Sequence, residues 1–467
     1  MALKTYPILF ISLVLAIGGC TMKTNIPIDR SPVPLPAQFT TEGVRQTSEL
    51  WWKELDDPTL HRLIEQAFIG NFSLSAARER LVQARAVARK AGADRITTLT
   101  GQAKAGESWT RNNGSTATTG NLLLGLAADY EIDLWGRLQA SEDAATLDAE
   151  GKSEDLQTAA LSVAAQIANT WYQLAAGESQ LALLQKQQDV NEIGLELIQL
   201  RFTAGQVGIA DVLQQQQLTE TKNGELAQQT ASSRVLENQL AILTGTSPGM
   251  LELQEKPRLI ELPELPVTGI PSALLQNRPD IRSSYLALLS ADRQVAVAIA
   301  DKYPKLSISG DLTTSGSSTG DLFDNWLASL AANLVGPLFD AGKREAEVER
   351  VSAAAREQLD IYSQTIVEAI GEVENALIQE AEQKKYITSL ELQLQLAEKT
   401  MANVRDRYKQ GLENYQRVLT ALLSYQSLER NLLSARRDRI GYRIDLYRAL
   451  GGSVLFSSDQ PQTSLSR

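Results

Sequence analysis

The sequence predicts a mainly α-helical chain with a transmembrane β part, built as two internal repeats. Three observations predict this. No proline occurs from Thr59 to Ser247 or from Leu338 to Gln460, and both stretches are rich in Ala, Leu, Gln and Glu. An interior proline costs a helix about 3 kcal/mol, so gaps this long predict very long helices. A shift of 206 residues superposes Asn169 on Asn375, Arg201 on Arg407, Phe202 on Tyr408, Gly205 on Gly411, Val212 on Val418, Leu213 on Leu419 and Gly245 on Gly451. One ungapped register over 169–245 and 375–451 marks a duplication. Finally, each half is interrupted by segments whose apolar residues recur every second position, the period of a strand.

From the N-terminus, residues 1–19 read as an export signal: Lys4, an apolar run from Ile8 to Ile17, then Gly18, Gly19 and Cys20. The run is too short to cross a bilayer. Ile17-Gly18-Gly19-Cys20 resembles a bacterial lipobox, which implies that Cys20, the sole cysteine, becomes an acylated first residue. An ordinary signal peptide with an incidental cysteine is the other reading. Thr21 stands where an aspartate would resemble inner-membrane retention, so the expected destination is the outer membrane. Residues 20–50, with Pro27, Pro32, Pro34 and Pro36, read as an extended tether.

The first repeat is expected over 51–247, with a β-hairpin at about 97–134. Within it Arg137 to Ala204 reads as one helix, about 100 Å long at 1.5 Å per residue. In the hairpin, Leu122, Leu124, Leu126, Ala128, Tyr130, Ile132 and Leu134 alternate with a face carrying Asp129, Glu131 and Asp133. Leu99, Ala103, Ala105 and Trp109 form a second apolar face that Glu107 interrupts, and Asn112-Asn113-Gly114-Ser115 is the turn. Residues 248–279, holding Pro248, Pro257, Pro263, Pro266, Pro271 and Pro279, read as a linker.

The second repeat, 280–452, repeats the pattern with a hairpin at about 304–339 and a turn at Ser315-Gly316-Ser317-Ser318. Its apolar positions are Leu306, Ile308 and Leu312, then Trp326, Ala328, Leu330, Ala332 and Leu334. Further on, Ile387, Leu390, Leu394, Ala397, Met401, Val404 and Tyr408 step by three and four, a coiled-coil seam. Its counterpart Leu181, Leu184, Gln188, Asn191, Leu195, Ile198 and Phe202 carries two polar residues. Residues 453–467 form a tail.

One apolar and one polar strand face suit a membrane β-barrel, with Asp129, Glu131 and Asp133 pointing into the lumen. A half-buried soluble sheet is the alternative. Four strands cannot close a membrane barrel, for which about eight is the minimum, so several chains must contribute.

Composition excludes other classes. With one histidine, His61, and one cysteine, no imidazole or thiolate cluster can hold a metal. His61 reads as a partly exposed helix residue. The formal net charge of −11 makes nucleic acid an unsuitable partner. No glycine-rich phosphate loop or nucleophile motif is present, so the chain is not expected to be an enzyme or to need a cofactor beyond the lipid on Cys20.

The residues resemble the TolC-like outer membrane factors, closest to their lipoprotein branch. The marks are Trp51-Trp52 with Asp57-Pro58, Tyr130-Glu131-Ile132-Asp133-Leu134-Trp135-Gly136-Arg137, and Arg278-Pro279-Asp280-Ile281. To these add Gly336-Pro337-Leu338-Phe339-Asp340-Ala341-Gly342 and the Arg-aromatic-x-x-Gly turns at 201–205 and 407–411. The resemblance implies a homotrimer: a 12-stranded β-barrel in the outer membrane, continued by a 12-helix α-barrel in the periplasm. It implies passive conduction for a tripartite efflux system, with an inner-membrane pump and a periplasmic adaptor as partners. A type I protein secretion channel and a pore-free coiled-coil lipoprotein are the alternatives.

It also implies that the turns at Arg201, Gly205, Arg407 and Gly411 form a periplasmic tip. There Tyr408 matches a gating tyrosine, and Asp211 matches its aspartate partner. Locally, Tyr408 reads equally as a seam residue and Asp211 as a helix-start carboxylate. Arg417 and Thr420 stand where many relatives carry carboxylates, so a cation-blocking ring cannot be assumed. Arg417 is a second candidate partner for Asp211.

Overall fold

The computed structural model describes residues 32–45, 50–253 and 255–452. The signal at 1–19, Cys20 and the tail at 453–467 lie outside the described residues.

A 3-10 turn at Trp51–Leu55 precedes α1 (Pro58–Gly70) and α2 (Phe72–Ala93). Strands β1 (Thr98–Asn112) and β2 (Ser115–Ile132) form the first hairpin, followed by α3 (Arg137–Thr203) and α4 (Ile209–Thr244). After short turns at 271–277 the second repeat runs α5 (Pro279–Ala300), β3 (Lys305–Gly316), β4 (Trp326–Val335), α6 (Lys343–Lys409) and α7 (Tyr415–Leu450). The duplication extends further than the sequence matches. Helices α3 and α6 are both 67 residues long, α4 and α7 both 36, and each pair starts 206 residues apart.

The chain divides into two compact units. One comprises Glu79–Ser153 and Arg282–Gln364 and contains the strands. They form a single antiparallel sheet of order β1-β2-β3-β4. The first hairpin turns on Asn113 (φ 44°) and Gly114 (φ 89°), two successive left-handed residues of the kind a two-residue hairpin needs. The second does not turn at Ser315–Ser318 as expected: β3 continues through Gly316 and residues 317–325 form a longer loop. Gly316 stays in the ladder opposite Leu122. The loop is tied instead by Asp321, which accepts from the Ser317 and Ser318 hydroxyls.

The other unit comprises Val33–Arg78, Glu154–Ile281 and the chain from Thr365 onward. Its core joins Trp51, Trp52, Leu60, Leu63, Ile64, Ile167, Trp171, Tyr172, Leu240, Ile444 and Tyr447. Asp57 caps α1, accepting from the Thr59 and Leu60 amides, and its second oxygen takes the Trp171 indole N–H at 2.7 Å. His61 donates from Nε2 to the Trp52 carbonyl at 3.0 Å, a structural bond. The segment expected as a tether is partly docked. Phe39 is buried, the Thr40 amide donates to Glu374 at 3.0 Å, and Arg45 bridges to Pro266. The physical reason is Gly43, whose missing side chain lets it lie against the Pro266 carbonyl, 1.7 Å from where a Cβ would be.

The heptad seam of α6 faces inward along its length, and Ile387 and Leu390 pack with Leu432 and Ala435 of α7. In α3 the seam holds as far as Ile198, but Phe202 is exposed.

Candidate functional site: strand faces and helix-tip turns

The strand register assembles one continuous face. Leu124 lies opposite Ala103 and Thr314, Leu126 opposite Gly101 and Leu312, and Tyr130 opposite Ile308, while Leu330 pairs with Gly310 and Trp326 with Thr314. The apolar positions expected from period-two spacing therefore fall on the same side of all four strands, except Leu134, which lies past the end of β2 at Ile132. This side is exposed in the single chain, with Leu330 81% and Trp326 72% accessible. From Leu122 to Ile132 the face spans about 33 Å along the strand, or about 25 Å of height at the usual barrel tilt, the thickness of an outer-membrane apolar belt. Glu107 no longer interrupts it. Pairing of β2 with β3 begins only at Leu122, so Glu107, opposite Gly120, lies on the part of the first hairpin that extends past β3.

The opposite face carries Asp129, Glu131, Ser307, Ser309 and Asp311. Glu131 is not a free carboxylate: Arg137 bonds both its oxygens, at 2.8 and 2.9 Å. Asp133 corrects the expectation of three carboxylates on one strand face. Strand β2 ends at Ile132, and Asp133 accepts the Gln139 amide at 2.8 Å in the first turn of α3, where a negative charge suits the helix dipole. Next to it the Trp135 indole donates to the Pro304 carbonyl at 2.8 Å and stacks on Tyr303. In the second repeat Asp340 does the same for α6, accepting from the Gly342 and Arg344 amides.

The helix-tip turns are built as the sequence predicted. Gly205 (φ 72°) and Gly411 (φ 75°) are left-handed. Gln206 N–H returns to the Arg201 carbonyl and Gly205 N–H to Phe202; Leu412 returns to Arg407 and Gly411 to Tyr408. Each is a complete Schellman termination. The following helices begin at Ile209 and Tyr415, two residues before Asp211 and Arg417.

The expected Tyr408–Asp211 hydrogen bond is not made. Asp211 accepts the Gly208 amide of its own turn at 3.3 Å, and the buried Tyr408 hydroxyl has no hydrogen-bond partner among the described residues. The Tyr408 ring is covered instead by the Arg201 guanidinium, 4.5 Å from its centroid. Arg417 does not reach Asp211. It and Arg407 converge on Glu413, at 3.8 and 3.2 Å, because Glu413 precedes the helix start within reach of both. Thr420 bonds back to the Gln416 carbonyl of its own helix.

Two tip residues escaped the sequence reading. The Tyr415 hydroxyl donates to Gln215 Oε1, joining α7 to α4. Burial pushes Tyr415 up to about 12, with Tyr408 and Asp211 adding to it, so the hydroxyl stays a neutral donor. Neither residue has a polar counterpart in the repeat, where Ile209 and Ala421 stand, so the comparison of halves passed over both.

The model of the outer membrane efflux protein family matches residues 63–246 and 270–452, the two repeats just described. The chain belongs to that family. It is 30% identical over 458 residues to the pyoverdine export outer membrane protein OpmQ of Pseudomonas aeruginosa, with 95% of this chain and 96% of that protein covered. It is 25% identical to the cation efflux system protein CusC of Escherichia coli K12, covering 94% and 97%. Among solved structures the outer-membrane channel OprN superposes with a TM-score of 0.85 at 25% identity, covering 93% of this chain and 99% of that one. The efflux-protein fold is the class read from the sequence: mainly α, two repeats per chain, four strands each given to a trimeric barrel. The protein is thus an outer-membrane efflux channel, its strands in the outer membrane and its helices in the periplasm. The family is one of channel proteins rather than enzymes.

Proposed function

We propose that three copies of this chain form a passive exit duct, taking small molecules from an inner-membrane pump through a periplasmic adaptor. One observation carries the reading. The exposed apolar face runs unbroken across four strands, yet β1 and β4 are both open edges of the sheet. Each unsatisfied backbone group in hydrocarbon costs several kcal/mol, so the edges must pair with other chains. OpmQ is named for pyoverdine export and CusC for cation efflux, different cargoes on similar chains. This supports a conduit that accepts what its pump delivers. Cys20 is proposed as a lipid anchor, and metabolic palmitate labelling should vanish in Cys20→Ser. The reading is tested by chemical cross-linking of purified protein followed by planar-bilayer recording. Cross-linked trimers that insert and conduct in discrete steps are expected; conduction by monomers, or inserted trimers that never conduct, would overturn it.

A further inference from the structure

We infer that Tyr415 and Gln215 form the clasp that holds the two helix pairs together at the tip, in place of a tyrosine–aspartate pair. This rests on the exit-duct reading. Gln215 is 1% exposed and fully engaged. Its Oε1 accepts the Tyr415 hydroxyl from α7, and its Nε2 donates to the Asn191 main-chain carbonyl of α3 at 2.7 Å. Gly194 makes the approach possible, because a Cβ there would stand 3.1 Å from Gln215 Nε2. Tyr415 is held from its other side by the Tyr408 ring, 5.9 Å between centroids, which Arg201 covers in turn. Residues from α3, α4, α6 and α7 therefore meet in one chain, buried at Asn191 and Gln215 and half-buried at Tyr415, Tyr408 and Arg201.

The bond crosses between repeats, so separating α4 from α7 breaks it and leaves Gln215 Oε1 buried without a donor. Ile209 and Ala421 occupy the equivalent positions and cannot bond, so the clasp is present once per chain. Asp211 is committed to its own helix start, and the Tyr408 hydroxyl contributes nothing to the clasp; only its ring does.

The test is single-channel recording of the full-length protein without adaptor, on preparations shown to be trimeric. Tyr415→Phe keeps the ring contact and removes the donor. The open-to-closed ratio is expected to rise about fivefold for each chain that loses the bond. Gln215→Ala should raise it similarly, and the double variant should exceed neither single by much, because both remove one interaction. Tyr408→Phe and Asp211→Asn should conduct like the parent. If Gln215→Ala gives no trimers, Tyr415→Phe decides alone, because it leaves the Gln215–Asn191 bond in place. The clasp is overturned if Tyr415→Phe behaves as the parent, if the two substitutions add independently, or if Tyr408→Phe opens the channel. Inserted trimers that stay silent in the parent and in every variant would sink the exit-duct reading instead.

Discussion

Arg443 illustrates what single side chains do here beyond filling space. It is 1% exposed, bonds Glu380 at 2.7 and 2.6 Å, and donates to the carbonyls of Pro263 and Glu264. One guanidinium thus ties the linker to α6 and α7. Arg443→Leu would leave the buried Glu380 carboxylate with Arg439 alone, 3.7 Å away, and a loss of about 3 kcal/mol is expected, read as a lower thermal midpoint of the trimer. Adding Glu380→Leu should recover much of it, because the pair's own desolvation cost is then removed as well. Arg278 plays a similar part, bonding Asp280, Glu372 and the Ala449 carbonyl. Burial alone would raise the Asp280 carboxyl, but the bonds and charge of Arg278 outweigh it and hold the group below its ordinary value. The stabilisation is therefore complete above about pH 4, the unfolded value, and is lost as pH falls through the lower folded value. Asp280→Asn should flatten the acid limb of a melting-temperature profile in that window, while a limb unchanged in the variant would deny the linkage.

The helix ends show why glycines in matching register differ in cost. Gly205 and Gly411 are left-handed but face open space. Gly411→Ala should lose only the conformational preference, about 1–2 kcal/mol, seen as faster amide exchange around Arg407 to Leu412. Gly245 is also left-handed, but a Cβ there would lie 2.0 Å from the Gly70 carbonyl. Its counterpart Gly451 would bring one within 2.8 Å of the Asn277 carbonyl. Gly245→Ala should therefore cost clearly more than Gly411→Ala and lower the yield of folded trimer; equal losses would show that the close approach is unimportant. Strands, long helices and the helix-end turns were legible from spacing, since period two, period 3.6 and Arg-aromatic-x-x-Gly are local patterns, whereas the second hairpin's turn was placed too early. The docked segment 39–45 was not, because its proline-rich composition is that of a linker and only Gly43 marks the approach of another backbone.

At the scale of the assembled channel, the charge of the polar strand face differs from a simple count of carboxylates. Arg137 offsets Glu131, and Asp133 belongs to a helix start, while Asp129 remains on the strand face opposite Ser309. Asp129→Asn should lower cation preference in a salt gradient, and Arg137→Gln should raise it by exposing Glu131. Reversal potentials that do not move in opposite directions would place these groups away from the ion path. At the helix-end turn the structure directs Arg417 toward Glu413, a carboxylate it shares with Arg407.

The amino-acid sequence by itself determined the class of the molecule. Periodicity, proline placement and an ungapped repeat are properties of neighbouring residues, and they suffice to specify helices, strands, faces and the need for more than one chain. Only the tertiary structure decided which polar groups meet. Tyr408 and Asp211 stand in equivalent turns, yet a carboxylate three residues from Gly208 is captured by that nearby amide before it can reach a phenol on another helix. Tyr415 and Gln215 lie 200 residues apart, and no local pattern links them. Their bond exists because four helix ends converge and Gly194 leaves room for one glutamine between them.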